Sequence, residues 1–278
     1  MSSFLDIVFT AGAVIHLAAF IVFVAFLAFV PWVKGTAKDV EAYGSIVTSS
    51  IVVAAVTASV YWLQAEGFGR IAGPGTPFVS EWVGYSFSLY LISNSLCLYY
   101  SVTSVGRTSL NWTLFLVGVG GVVGVVYSPN GAAEAAIVTG TSVLYLLFLF
   151  RLYQEMQITR QVADVSRAPY YLFLVATLFT YVLFYILSPT VLGAHCVVTE
   201  NVEHLVYLVG NVLSKILLPI VELVTFQSVL SDKREKVVVT RVTTNGHMNA
   251  TTVQWTQHLP QALVDSYARK STNARRRM

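Results

Sequence analysis

The sequence predicts an all-α membrane protein built as a bundle of seven transmembrane helices. Three observations predict it. Hydrophobic residues make up 55% of the 278-residue chain and charged residues only 11%, against roughly 25% charged in soluble domains. Apolar stretches of about 20 residues, the length that crosses a bilayer, recur seven times. The last of them holds a lone lysine, Lys215, well away from either end.

The stretches lie near residues 7–31, 44–65, 77–104, 109–128, 132–156, 169–188 and 201–230. The first lacks a basic leader and an Ala-x-Ala site, so it reads as a helix and not a cleaved signal. Pro31 closes it. Gly67 to Pro77 separates the second from the third, with Thr76 suited to the N-cap and Pro77 to the first helical position. The fourth carries Gly118, Gly120, Gly121 and Gly124, a small-residue face on which a neighbour can pack closely. Ser128-Pro-Asn-Gly131 separates it from the fifth, and Glu134 there suits the positive end of a helix dipole. From Asp232 the composition changes: residues 232–278 are polar, hold nine bases against three acids and end in Arg275-Arg276-Arg277. The chain therefore divides into a membrane domain, 1–231, and a basic polar tail, 232–278, read as cytoplasmic and partly disordered.

Charge orients the bundle. Seven spans put the termini on opposite sides. Lys34, Lys38, Arg107, Arg151, Arg160, Arg167 and the nine tail bases fall on the tail side; Arg70 falls on the other. The positive-inside rule then places the tail in the cytoplasm and the N-terminus outside. The tail is a solvated segment or one drawn to anionic headgroups. Cys97 and Cys196 fall too far apart along the bundle to suggest a disulfide framework. Asn111-Trp-Thr113 and Asn249-Ala-Thr251 match the glycosylation pattern but map to the cytoplasmic side. The bilayer is the expected partner, nucleic acid is not, and no enzymatic activity is expected.

A lysine at bilayer depth costs several kcal/mol unless it snorkels, pairs or loses its charge. An amine in an apolar pocket can also form an imine with a carbonyl compound, which points to a covalently held aldehyde. Around it, His204, Tyr207, Asn211, Lys215 and Glu222 recur at intervals that keep them on one helical face. Glu81, Tyr85, Ser88 and Ser95 form a weaker stripe on the third helix. Glu81 suits a headgroup-level anchor or, facing inward, the anionic partner of a cationic imine. His16 is a buried core histidine or a functional one. Glu200 and Glu203 cluster at the start of the seventh helix. Glu203 and Glu222 flank Lys215 at about 18 Å and 10 Å by helix rise, so a proton leaving the amine meets an acid in either direction.

Seven helices, short loops and a mid-seventh-helix lysine resemble the microbial (type 1) rhodopsins. Asn201-Val-Glu-His-Leu-Val-Tyr-Leu-Val-Gly-Asn-Val-Leu-Ser-Lys215 looks like their seventh-helix signature. Leu116-Val-Gly-Val-Gly-Gly121 resembles their fourth helix, and Tyr61 with Gly67-Phe68-Gly69 the close of their second. Within the superfamily, Glu81-Trp-Val-Gly-Tyr-Ser-Phe-Ser88, Val206-Tyr207 and Ile15-His16-Leu17 are similar to heliorhodopsins, a branch of inverted topology. The resemblance implies retinal bound to Lys215 as a Schiff base. Asn211, Tyr85, Ser88, Phe184 and Tyr207 would then line the cofactor. Glu81, Glu203, Glu222, His16 and Glu200 would supply the counterion and proton path. It also allows a homo-oligomer.

Departures from the family's pattern are specific. Its third helix usually carries Arg and, three residues on, an acidic counterion; here those positions read Glu81 and Gly84. The position four before the lysine is Asn211, and the tryptophan cage of the sixth helix is replaced by Phe179, Tyr181, Phe184 and Tyr185. The expectation is light-coupled proton or ion movement through a retinal protein. One alternative is a non-transporting photosensor that signals to a partner. Another, outside the family, is a seven-helix transporter or receptor whose lysine binds a substrate anion.

Overall fold

The computed structural model describes residues 4–33, 36–68, 79–127, 131–162, 165–182 and 200–226. They form α1 (Phe4–Leu27), a short 3-10 turn (Val30–Trp32), α2 (Ala37–Ala65), α3 (Val79–Tyr99), α4 (Ser104–Tyr127), α5 (Gly131–Val162), α6 (Ala168–Val182) and α7 (Glu200–Val212). The last of these continues through a π-helical turn, Leu213–Leu217, to residue 226. Consecutive helices from α1 to α5 pack side by side, and α7 packs against both α1 and α6, closing the ring. Thr76 and Pro77, the Ser128–Asn130 turn, Cys196 and the tail lie outside the described residues.

Polarity is arranged for lipid. Along α1 the inward face is Val8, Phe9, Gly12, Ala13, His16, Ala19 and Phe23, at helical spacing. Outward stand Val14, Ile15, Leu17, Ile21 and Val22, all exposed. Large aliphatic groups on the outer face cost nothing in hydrocarbon, and the helix satisfies its own backbone there. The spans Phe4–Leu27, Ala37–Ala65 and His204–Phe226 are long and apolar enough to cross a bilayer, with mean hydropathies of 2.5, 1.8 and 1.7. Hydroxyls buried at that depth bond their own helix: Ser50 to Ile46 O and Thr57 to Val53 O, both at 2.8 Å. Such local bonds let polar residues sit in a dry core without a cross-helix partner.

Helix ends depart from the apolar boundaries for local reasons. α2 begins seven residues before residue 44, because Thr36 and Asp39 form a capping box: Thr36 Oγ1 accepts from Asp39 N (3.3 Å) and Asp39 Oδ2 from Thr36 N (2.9 Å). α3 stops at Tyr99 with no glycine or proline to announce it. Ser101 takes a left-handed conformation (φ 55°), Val102 N donates to Cys97 O at 2.8 Å, and Ser101 N to Leu98 O at 3.1 Å. That is the paired bonding of a Schellman cap, normally built on glycine. α4 then starts at once, Thr103 Oγ1 accepting from Gly106 N at 3.3 Å.

α4 approaches α3 through its glycine face. A Cβ on Gly118 would lie 2.6 Å from Ser86 Cα, so no side chain fits there. Asn111 of α4 is buried and donates through Nδ2 to Asn94 Oδ1 of α3 at 3.2 Å, a position closed to glycosylation. At the tail end, Tyr100 fastens α3 to α6: its hydroxyl donates to Ser166 O (3.3 Å) and accepts from Tyr170 N (3.0 Å). The Thr159 hydroxyl of α5 bonds Tyr100 O. The larger apolar core gathers at this end, around Phe23, Tyr43, Leu96, Tyr99, Leu152, Met156 and Phe226.

Replacing Ser101 with glycine relieves the left-handed strain, about 1–2 kcal/mol, and adds unfolded-chain entropy of about 0.5–1 kcal/mol. Ser101→Gly should therefore raise the thermal midpoint in detergent, by differential scanning calorimetry, whereas Ser101→Ala should not. Gly118→Ala should lower it, because α3 and α4 must part to admit the methyl group.

Candidate functional site

Lys215 sits in the π-helical turn, 3% exposed. Two neighbours account for the widened turn. Pro219 has no amide hydrogen and its ring crowds the carbonyl four residues back, which is that of Lys215. Ser214 Oγ donates to Gly210 O at 2.7 Å, competing for a backbone acceptor of the preceding turn. The backbone responds with a longer ring, Leu218 N donating to Leu213 O five residues back. Turns of this kind concentrate at functional sites.

The seventh-helix stripe faces inward along its length. His204, Tyr207, Asn211, Lys215 and Glu222 are each no more than 6% exposed. Lys215 Nζ stands 4.4 Å from the centroid of the Tyr85 ring on α3, so the structure brings together two of the residues expected at the cofactor. An ammonium over an aromatic face gains about 0.5–2 kcal/mol, more as water is excluded. Ser88, one turn further along α3, is 1% exposed, and its hydroxyl has no hydrogen-bond partner among the described residues.

Toward the N-terminal end, α1, α2 and α7 meet around Tyr61. Its hydroxyl oxygen accepts from Asn211 Nδ2 at 2.7 Å, and its ring lies 5.4 Å from that of His16. Gly12 allows this: a Cβ there would stand 2.7 Å from Tyr61 Cγ. His16, fully buried, pairs its Nδ1 with Gly12 O at 2.8 Å. His204 meets the Phe9 ring edge-on at 5.0 Å and lies beside Tyr207 at 6.2 Å. Asn211 Oδ1 has no partner among the described residues.

On the tail side of Lys215, Glu222 is wholly buried and its Oε2 lies 2.8 Å from Ser95 Oγ of α3. One turn nearer the tail, Tyr99 Oη and Thr225 Oγ1 are 2.8 Å apart. The rings of Tyr43, Tyr99 and Phe226 close over this end, Phe226 lying 5.8 Å from Tyr43 and 6.2 Å from Tyr99. Gly84, where an acidic counterion is usual, packs against α2: a Cβ would meet Val60 Cγ2 at 2.6 Å. The space for a carboxylate at that position is filled.

Glu81 lies in α3 and Glu200 and Glu203 in α7, but the side chains of all three lie outside the described residues, as do that of Glu134 and the whole of Phe184. Among the described residues no group of His, Cys, Asp and Glu is arranged to hold a metal ion. Sequence reasoning did not find Tyr61 as the partner of Asn211, because they are 150 residues apart. Pro219, four residues after the lysine, is the signal in the chain for the widened turn.

No protein-family model and no curated protein matches the chain by sequence. Solved structures do match. Halorhodopsin, a light-driven chloride pump, is 14% identical with a TM-score of 0.68, covering 84% of this chain and 98% of its own. Cyanorhodopsin from the cyanobacterium Calothrix sp. is 14% identical at 0.69, covering 89% and 100%. A light-driven proton pump from Leptosphaeria maculans is 15% identical at 0.64, covering 81% and 95%. The protein is an integral membrane protein with the microbial rhodopsin fold.

Removing the Tyr61 hydroxyl strands the Asn211 amide in a dry interior, a loss of about 1–3 kcal/mol. Tyr61→Phe should lower the thermal midpoint, and Tyr61→Phe combined with Asn211→Leu should recover part of the loss, as a double-mutant cycle would read.

Proposed function

We propose that the protein is a membrane photoreceptor that holds retinal on Lys215 and couples light to proton movement across the membrane. The observation that carries this is a buried amine in a widened helical turn, backed by an aromatic face, with inward polar groups on either side of it. The surroundings fit a prosthetic group with a polar head: Ser88 Oγ and Asn211 Oδ1 are buried polar atoms without a partner among the described residues. Retinal joined to the amine supplies light absorption and a change of shape on excitation.

The chain's own residues do the rest. Tyr85 lends its ring face to positive charge at Nζ. Tyr61 fixes the Asn211 amide so that Oδ1 remains free to accept a hydrogen bond. Glu81, one turn before Tyr85, is the anion proposed to balance charge at Lys215, since an unpaired buried charge is strongly disfavoured. His16, Glu203 and Glu200 serve the N-terminal half of a proton path and Glu222 the tail half. The N-terminus is proposed to face outside and the basic tail the cytoplasm, where anionic lipid or a signalling partner can meet it.

Two observations favour a second reading, a heliorhodopsin-like sensor without transport. Val60 fills the space beside Gly84, and aromatic rings close the tail end. Voltage clamp of illuminated cells separates the two: a light-dependent current is expected, and its absence at every voltage would select the sensor. The common premise is tested first. Full-length protein supplied with retinal should show a visible absorption band that Lys215→Ala abolishes. After borohydride reduction, mass spectrometry should find a retinyl adduct at Lys215; a band that survives Lys215→Ala would refute the assignment.

A further inference from the structure

Ser95 Oγ stands within hydrogen-bonding distance of two oxygens, Ile92 O at 3.0 Å and Glu222 Oε2 at 2.8 Å. A serine hydroxyl has one hydrogen to donate, and a backbone carbonyl can only accept. Both contacts are satisfied at once when a proton lies on Glu222: the carboxylic acid donates to Ser95 Oγ, and Ser95 donates to Ile92 O. An ionised Glu222 leaves one of the two short contacts as oxygen facing oxygen with no hydrogen between.

The surroundings agree. Glu222 is 0% exposed, its Oε1 has no hydrogen-bond partner among the described residues, and its Oε2 meets Ser95 Oγ. A buried carboxylate carrying charge would want paired cations or several donors. One turn toward the tail the proton count also closes: Thr225 Oγ1 donates to Val221 O (2.6 Å), so Tyr99 supplies the hydrogen of the Tyr99–Thr225 bond. Both bonds join α3 to α7.

From this count we propose that Glu222 and Ser95 form a closed proton-holding site in the tail-side half of the bundle. The Tyr99–Thr225 hydrogen bond and the rings of Tyr43 and Phe226 form its seal against water. The proton rests on Glu222 Oε2. It passes to water admitted from the tail side when α3 and α7 part at this seam, an event that releases the Ser95 and Tyr99 bonds together and leaves Glu222 as the carboxylate. This deepens the reading of a proton path beside Lys215, yet the site itself needs no chromophore.

The test is infrared spectroscopy on the full chain in lipid, with retinal and again as the Lys215→Ala protein without it. In both, at neutral pH, a carbonyl stretch of a protonated carboxyl is expected that Glu222→Gln removes and Ser95→Ala shifts. Absence of a Glu222-dependent band in both preparations would overturn the proposal while leaving retinal binding to its own test. Transfer to heavy water reads the seal. Tyr99→Phe keeps the ring and loses the clasp, and should speed deuteration of that band about fivefold, the weight of one net hydrogen bond. An unchanged rate would remove Tyr99 from the seal.

Discussion

A lysine buried at bilayer depth constrains nearly everything near it. On insertion scales such a residue costs about 2.5–3.5 kcal/mol at a helix centre, and Lys215 cannot reach an interface from its turn. The structure answers in three ways. A π-helical turn just ahead of Pro219 reshapes the backbone at the amine. The face of Tyr85 lies against Nζ at 4.4 Å. Polar side chains that would be wasteful elsewhere in hydrocarbon are drawn to the same interior, and small residues such as Gly12 let their helices come close enough to pair them.

The two ends of the interior are built differently. Toward the N-terminal end, polar groups from three helices meet as His16, Tyr61 and Asn211, with aromatic and histidine rings stacked loosely among them. The tail end is a dense apolar core in which Glu222, Ser95, Tyr99 and Thr225 form a short polar line between α3 and α7. That asymmetry suits a protein in which a buried charge communicates readily with one side and is shut off from the other until helices move. The same tail end is fastened by Tyr100 to α5 and α6, so the α3–α7 seam is bounded by a rigid corner.

Much of the fold was legible because lipid imposes a simple rule: a span must be apolar, helical and about 20 residues long. The apolar count located all seven helices. It misjudged ends where capping chemistry rather than hydropathy decides, as at Thr36 and Ser101. Of the site, the seventh-helix stripe was readable from its spacing, since residues three and four apart share a face whatever the helix packs against.

Chain order alone therefore determined the number of spans, the inward stripe and the lysine at its centre, since each follows from periodicity within a single helix. Only the tertiary structure decided that Tyr61 holds Asn211, that Tyr85 backs Lys215, that Val60 occupies the space beside Gly84 and that Ser95 meets Glu222. Those pairings join residues 24 to 150 positions apart, set by how helices rotate and close on one another, and no local pattern in the chain encodes that rotation.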